Sequence, residues 1–217
     1  NGDITTGPIA NTANGGTGMQ VGGICAYIKS AENNLIGYCT NNGRVNAPSG
    51  RGGGLAGTFE KGTIANSTNA GLVEDDAVGQ YAGQKDQYGI KRMGGLVGGT
   101  VTNNNLRIEY CTNNGNVFSQ LGCRTGGFVG HNQATIVGCV NKGTILANIT
   151  YASGEPQHGP GWACGYSGKK LVTQCAKGGR VGEWDTYKDN PGSAPEATND
   201  NALCYKNGDY FDPSQNY

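Results

Sequence analysis

Short apolar stretches recur along this chain, each bounded by glycine, asparagine or serine. A Gly-Gly-apolar-x-Gly segment stands at Gly53–Gly57, Gly94–Gly98 and Gly126–Gly130, with weaker copies at Gly22–Ala26 and Gly161–Gly165. Each is followed by the pattern apolar-x-x-Cys-x-Asn-x-Gly-x-apolar, beginning at Ile36, Ile64, Ile108, Ile136 and Val172. In that second segment the cysteine column reads Cys39, Ser67, Cys111, Cys139, Cys175. The asparagine column reads Asn41, Asn69, Asn113, Asn141 and then Lys177, and the closing apolar column Val45, Val73, Val117, Ile145, Val181. Fragments of the motif occupy both ends, as Gly2-Asp3-Ile4 and as residues 204–210.

A repeat of this length, with three short apolar stretches per unit and turn residues between them, is the pattern of a stacked coil. The stretches are too short and too glycine-rich for helices. The expected fold is therefore all-β. It is a parallel β-helix (β-solenoid) of about five coils with three short strands per coil, right-handed by the crossover rule, with degenerate capping units at both ends. Strands of successive coils lie about 4.8 Å apart, giving a rod of about 25 Å. The whole of 1–217 reads as one domain, with units near 1–21, 22–52, 53–93, 94–125, 126–160 and 161–181 and a C-terminal cap over 182–217. Stacking in register places like residues in columns. A column of Asn41, Asn69, Asn113 and Asn141 at a corner can then run amide-to-amide hydrogen bonds along the axis. The glycine two residues after each asparagine is expected to turn that corner at positive φ.

Composition agrees with this architecture. Glycine contributes 40 residues and asparagine 24 of the 217, while only 15% of the chain is charged. Lysine plus arginine equal aspartate plus glutamate at 16 each, so no basic excess points to nucleic acid. Neither a long apolar run nor a charged-then-apolar leader occurs, so the chain is not expected to span a membrane.

The eight cysteines are better explained by packing than by chemistry. Cys39, Cys111, Cys139 and Cys175 share a column in which Ser67 substitutes, so the position asks for a small side chain. Parallel stacked thiols are poorly oriented for disulfides, and free Cys packs as a small hydrophobe. Cys123, outside the register, is the candidate for any bridge. No Cys-x-x-Cys occurs and the histidines are His131 and His158, so neither metal nor cofactor is expected.

Function on a solenoid resides in insertions and exposed faces. The link from the closing apolar residue to the next Gly-Gly alternates between short and long, and the long links leave one corner. They carry Asp75, Asp76, Tyr81, Tyr88, Arg92, Tyr151 and His158, and the tail adds Trp184. Aromatic rings interleaved with Asp and Arg suit a sugar, the rings stacking on pyranose faces and the polar groups taking hydroxyls. These eight are the candidate ligand-binding residues. The same aromatics would equally staple the insertions to the scaffold, and Trp184 would anchor a cap. Glu74-Asp75-Asp76 could hold calcium but reads more simply as a solvated loop. Zinc-hydrolase, nucleophile-elbow and phosphate-loop motifs are missing. An enzyme is therefore not expected, although a lyase or glycosidase site on a β-helix needs no linear motif.

The residues Gly94-Gly95-Leu96-Val97-Gly98, followed by Ile108, Cys111, Asn113, Gly115 and Val117 at the spacing above, resemble GLUG-motif repeats. Those repeats occur in secreted and surface proteins of Bacteroides-type bacteria and in accessory regions of immunoglobulin A-specific metallopeptidases. The resemblance covers nearly the whole chain and departs at Trp162, Lys177 and Lys206. It implies an extracellular or cell-surface module of an adhesin-like protein, outer-membrane anchored through its parent. No zinc motif is present to carry over the peptidase chemistry. The chain opens in mid-motif, so a longer polypeptide is expected. The partner expected is a glycan or a host or matrix glycoprotein; a structural spacer or stalk is the alternative.

Overall fold

A computed structural model describes residues 2–5, 19–29, 34–48, 50–75, 92–101, 106–120, 124–148, 160–167, 172–183, 205–206 and 209–210. They contain strands and turns but no helix. The strands stack into five parallel ladders running along one axis, so the β-solenoid predicted by the repeat is the fold.

The three apolar stretches of each unit resolve into five short strands, one per ladder. In the unit around Leu96 these are Arg92–Gly94, Val97–Thr100, Leu106–Glu109, Thr112–Asn113 and Val117–Ser119. We number the ladders first to fifth in that order. The columns pair in the register that the sequence repeat implies. Gly53, Gly94 and Gly126 align in the first ladder, and Ala56, Val97 and Val129 in the second. Ile64, Ile108 and Ile136 align in the third, Asn69, Asn113 and Asn141 in the fourth, and Val73, Val117 and Ile145 in the fifth. Ile4 pairs with Val45, so the first residues do form the tail of a coil. At the other end, Tyr205–Lys206 and Asp209–Tyr210 do not extend the stack in the same way. Tyr205–Lys206 pairs antiparallel with Asp209–Tyr210, and the dipeptide between them in sequence, Asn207-Gly208, is the one most favoured in two-residue hairpin turns.

One apolar core threads the coils. Leu55, Leu96 and Phe128 stack in it, as do Ile64, Ile108 and Ile136, all fully buried. At the edge of the stack Ile24, Leu35 and Tyr38 are exposed. The glycines of the Gly-Gly-apolar-x-Gly segment let the first two ladders touch backbone to backbone. A Cβ at Gly98 would lie 2.7 Å from Gly57 O and 2.9 Å from Gly52 N, closer than side chains tolerate.

The asparagine column is a continuous hydrogen-bond ladder. Asn41 Nδ2 donates to Asn69 Oδ1 at 2.8 Å, Asn69 to Asn113 at 2.9 Å, and Asn113 to Asn141 at 2.8 Å. Each Nδ2 also reaches the carbonyl two residues on, at Gly43, Gly71, Gly115 and Gly143. Every amide thus satisfies a turn carbonyl that burial would otherwise leave unpaired.

The glycine after each asparagine does not turn the corner at positive φ. That conformation belongs to the residue preceding the Cys column, namely Tyr38, Asn66, Tyr110, Gly138 and Gln174, at φ between 49° and 63°. Glycine is needed two residues past the asparagine because the coils stack tightly there. A Cβ on Gly115 would sit 1.9 Å from Gly71 O.

The thiols are free among the described residues. Each Sγ in the column donates to the carbonyl two residues back: Cys39 to Gly37 at 3.3 Å, Cys111 to Glu109 at 3.2 Å, Cys175 to Thr173 at 3.2 Å. Ser67 Oγ makes the same bond to Ala65 O at 2.8 Å. A hydroxyl therefore fits a thiol position.

A candidate anion-binding edge

Alternation along the first ladder splits its residues between core and surface. In Arg92-Met93-Gly94, Met93 is fully buried, so Arg92 on the opposite face of the strand points outward. Register places Gln20, Arg51, Arg92 and Arg124 in one column. Three arginines therefore stand on consecutive strands whose backbones lie about 4.8 Å apart; Arg51 and Arg92 are partly exposed, whereas Arg124 is buried, at 5% exposure. Like charges directly opposite across a ladder repel.

The second ladder supplies the wall against which these side chains lie. Its matching column reads Tyr27, Thr58, Gly99, His131 and Tyr166. Each arginine meets the wall residue seven positions on. Arg51 Nη1 donates to Thr58 Oγ1 at 3.1 Å. Arg124 Nη1 lies 3.3 Å from His131 Nδ1, and its guanidinium carbon sits 4.3 Å from the centre of the Tyr166 ring, within cation–π range. The His131 ring meets Tyr166 edge-on at 4.9 Å. At the middle rung the wall residue is Gly99, which offers no side-chain partner. Arg92 settles onto it instead, with its Cδ 3.0 Å from where a Cβ would be.

The electrostatics of the edge follow from this stacking. Burial, reinforced by Arg51 and Arg124, lowers the Arg92 pKa to about 9. Burial and then the three arginines push His131 down to about 3, so its ring is neutral at physiological pH. With Nδ1 unprotonated, it accepts from Arg124. Arg92 Nε and Gln20 Oε1 are buried with no hydrogen-bond partner. Glu60 and Tyr27 stand close enough to Arg51 to offset part of the fall in its pKa that burial causes. The arrangement suits anion binding, since guanidinium forks match carboxylate, sulfate and phosphate oxygens.

Of the candidates read from the sequence, Arg92 lies at the centre of this edge. Asp75 is corrected by the structure. It is no part of a solvated loop but fully buried, accepting from Ser119 Oγ at 2.9 Å and from the Gln120 amide at 2.6 Å. Its neighbour Glu74 pairs with Arg44, so two of the three consecutive carboxylates already have partners inside the fold. Asp76, Tyr81, Tyr88, Tyr151, His158 and Trp184 fall outside the described residues. The long links that hold most of them do join the same two ladders, the fifth and the first. Arg51, Arg124, His131 and Tyr166 escaped the sequence reading. The signal was present as Arg-x-Gly-Gly at 51–54, 92–95 and 124–127, a column directly ahead of the Gly-Gly motif.

No family model, curated protein or solved structure matches the chain. Among the described residues, no helix is long and apolar enough to cross a membrane.

Proposed function

We propose that this chain is a non-catalytic extracellular or cell-surface module of an adhesin-like protein, binding a glycan or glycoprotein along the corner where its insertions rejoin the solenoid. The observation that carries this reading is the in-register column of Arg51, Arg92 and Arg124 on that edge. Three arginines in one column give that edge a positive local field, felt at Arg92 and His131. The resemblance to GLUG repeats supports the surface location. A spacer or stalk is the second reading, favoured by ladders that run unbroken through every coil.

An array of neutral and acidic glycans, mucins and matrix glycoproteins separates the two. The binding module gives a defined hit that soluble ligand competes away. A blank across the array gives the spacer.

A further inference from the structure

The two ends of the stack are built differently. At the far end the strand Tyr205–Lys206 packs beside Cys164–Ser167, the last strand of the second ladder, and Lys177 closes the asparagine column. At the near end, Met19–Gly22, Cys25–Ile28, Leu35–Gly37 and Thr40–Asn41 finish the first four ladders, each paired on one side among the described residues. Unpaired strand edges are templates for association unless charge or a cap blunts them. Here the rim is apolar. Leu35 is 68% exposed, and the next three coils carry Thr63, Arg107 and Thr135 in its column. Tyr38 is 84% exposed, at a corner where the next coil carries Asn66. Ile24 is 43% exposed, although its counterparts Leu55, Leu96 and Phe128 are fully buried. The end rung thus holds large apolar side chains at positions that the following coils fill with polar ones. Two exposed charges of opposite sign flank them. Asp3 stands one rung above Arg44 and accepts from its amide, and Lys29 follows the end strand of the second ladder. Between these two positions the coil passes Leu35 and Tyr38.

We propose that a second copy of this chain docks on this end, N-terminal rim to N-terminal rim, about a two-fold axis. Such an interface is self-complementary, each residue meeting another whose own copy meets it in return. Opposite charges on one rim suit it. A two-fold axis midway between them sets Asp3 of each copy against Lys29 of the other. That axis passes near Leu35 and Tyr38, so the most exposed apolar side chains meet at the centre of the joint. Assembly stops at two copies, because a filament needs the two ends of the rod to fit each other. The hairpin and Lys177 at the far end have no counterpart at the near one.

The test is sedimentation velocity of the full chain from about 1 to about 200 µM. Mass action should carry it from monomer to dimer as concentration rises, and no further. Tyr38→Gly removes the ring at a φ of 55° that glycine adopts freely, and should weaken the dimer by about tenfold or more. Leu35→Ser should do the same. Asp3→Lys should weaken it by setting like charges face to face, and adding Lys29→Asp should restore it. Arg180→Gln, an exposed position near the far end, should leave it unchanged. Urea unfolding of each variant shows that it is folded before sedimentation. A chain that stays monomeric across the range overturns the proposal and leaves this end to a different partner. Oligomers larger than two overturn it as well, and so does a dimer untouched by both Tyr38→Gly and Leu35→Ser. Failure of Lys29→Asp to restore the dimer overturns the placement of the axis.

Discussion

Replacing Asn113 by aspartate changes one nitrogen to oxygen at the centre of the asparagine ladder. Asn113 Nδ2 donates to Gly115 O and to Asn141 Oδ1, both at 2.8 Å, while its Oδ1 accepts from Asn69 at 2.9 Å. The residue is fully buried. Asn113→Asp therefore sets a carboxyl oxygen against two acceptors. When protonated, the new group can donate to one of them, and the other is left unpaired at a cost of about 1–3 kcal/mol. When ionised it donates to neither and buries a charge, so its pKa in the folded state must rise above the ordinary 3.9. Buried carboxyls reach about 7–8 in such surroundings. A rise of about three units adds about 4 kcal/mol by pH 7, at 1.36 kcal/mol per unit. The sign is fixed by linkage. The raised folded-state pKa makes the stability of Asn113→Asp greatest below about pH 4 and progressively lost as pH climbs toward the folded value. Urea unfolding at pH 4, 5.5 and 7 should show destabilisation growing from about 2 to about 6 kcal/mol, close to the whole stability of many domains. Asn113→Ala should show a loss that does not vary with pH. A destabilisation by Asn113→Asp that is constant across the three pH values, or below 1 kcal/mol at pH 7, refutes the ladder argument.

The ladder stops where Lys177 takes the asparagine position. Lys177→Asn should extend it by one coil and raise stability by about 1 kcal/mol, read as a higher urea midpoint at unchanged slope. Cys139→Ser should cost less than about 1.5 kcal/mol, because Ser67 already makes the column's bond to the carbonyl two residues back; a loss above 3 kcal/mol would contradict the packing role. His131 titrates far below its ordinary 6.5 in the fold, so the unfolded chain takes up that proton first. Its contribution leaves stability intact above about pH 6.5 and erodes it as pH falls toward 3. Allowing for partial exposure, His131→Gln should recover about 2 kcal/mol of the acid-side loss between pH 7 and 4. Parallel stability curves for the two proteins would count against the burial of His131 and the arginine field around it.

Columns were the legible part of this sequence because stacking makes each residue a neighbour of its own counterpart. Ile64, Ile108 and Ile136 needed only alignment to be placed in one core, and Asn69, Asn113 and Asn141 to be placed in one ladder. The corner was harder. Positive φ fell on Tyr38 and Tyr110, bulky residues that carry no local signal for the left-handed region, while the expected glycines were fixed by clearance from the coil before. Asp75 read as part of a solvated acidic run, because its hydrogen bond to Ser119 joins positions 44 apart in sequence. The candidate edge was hidden for another reason. Arg51, Arg92 and Arg124 were in register with the Gly-Gly segment all along, but only the structure shows which wall residue each one meets.

The spacing between ladder partners in sequence varies widely: Asn41 and Asn69 are 28 residues apart, Asn69 and Asn113 are 44, and Asn113 and Asn141 are again 28. All three hydrogen bonds nonetheless have nearly the same length. Most of the extra residues enter between the fifth ladder and the first, and a few between the second and the third, so the stack behaves as a ruler with an adjustable margin. Closing a longer loop costs only a logarithmic amount of entropy, and the pairing on either side supplies what the loop does not. New sequence can therefore be written into that margin, by evolution or by a protein engineer, without renegotiating the scaffold. The corner where those links rejoin the stack is thus the part of the fold freest to change.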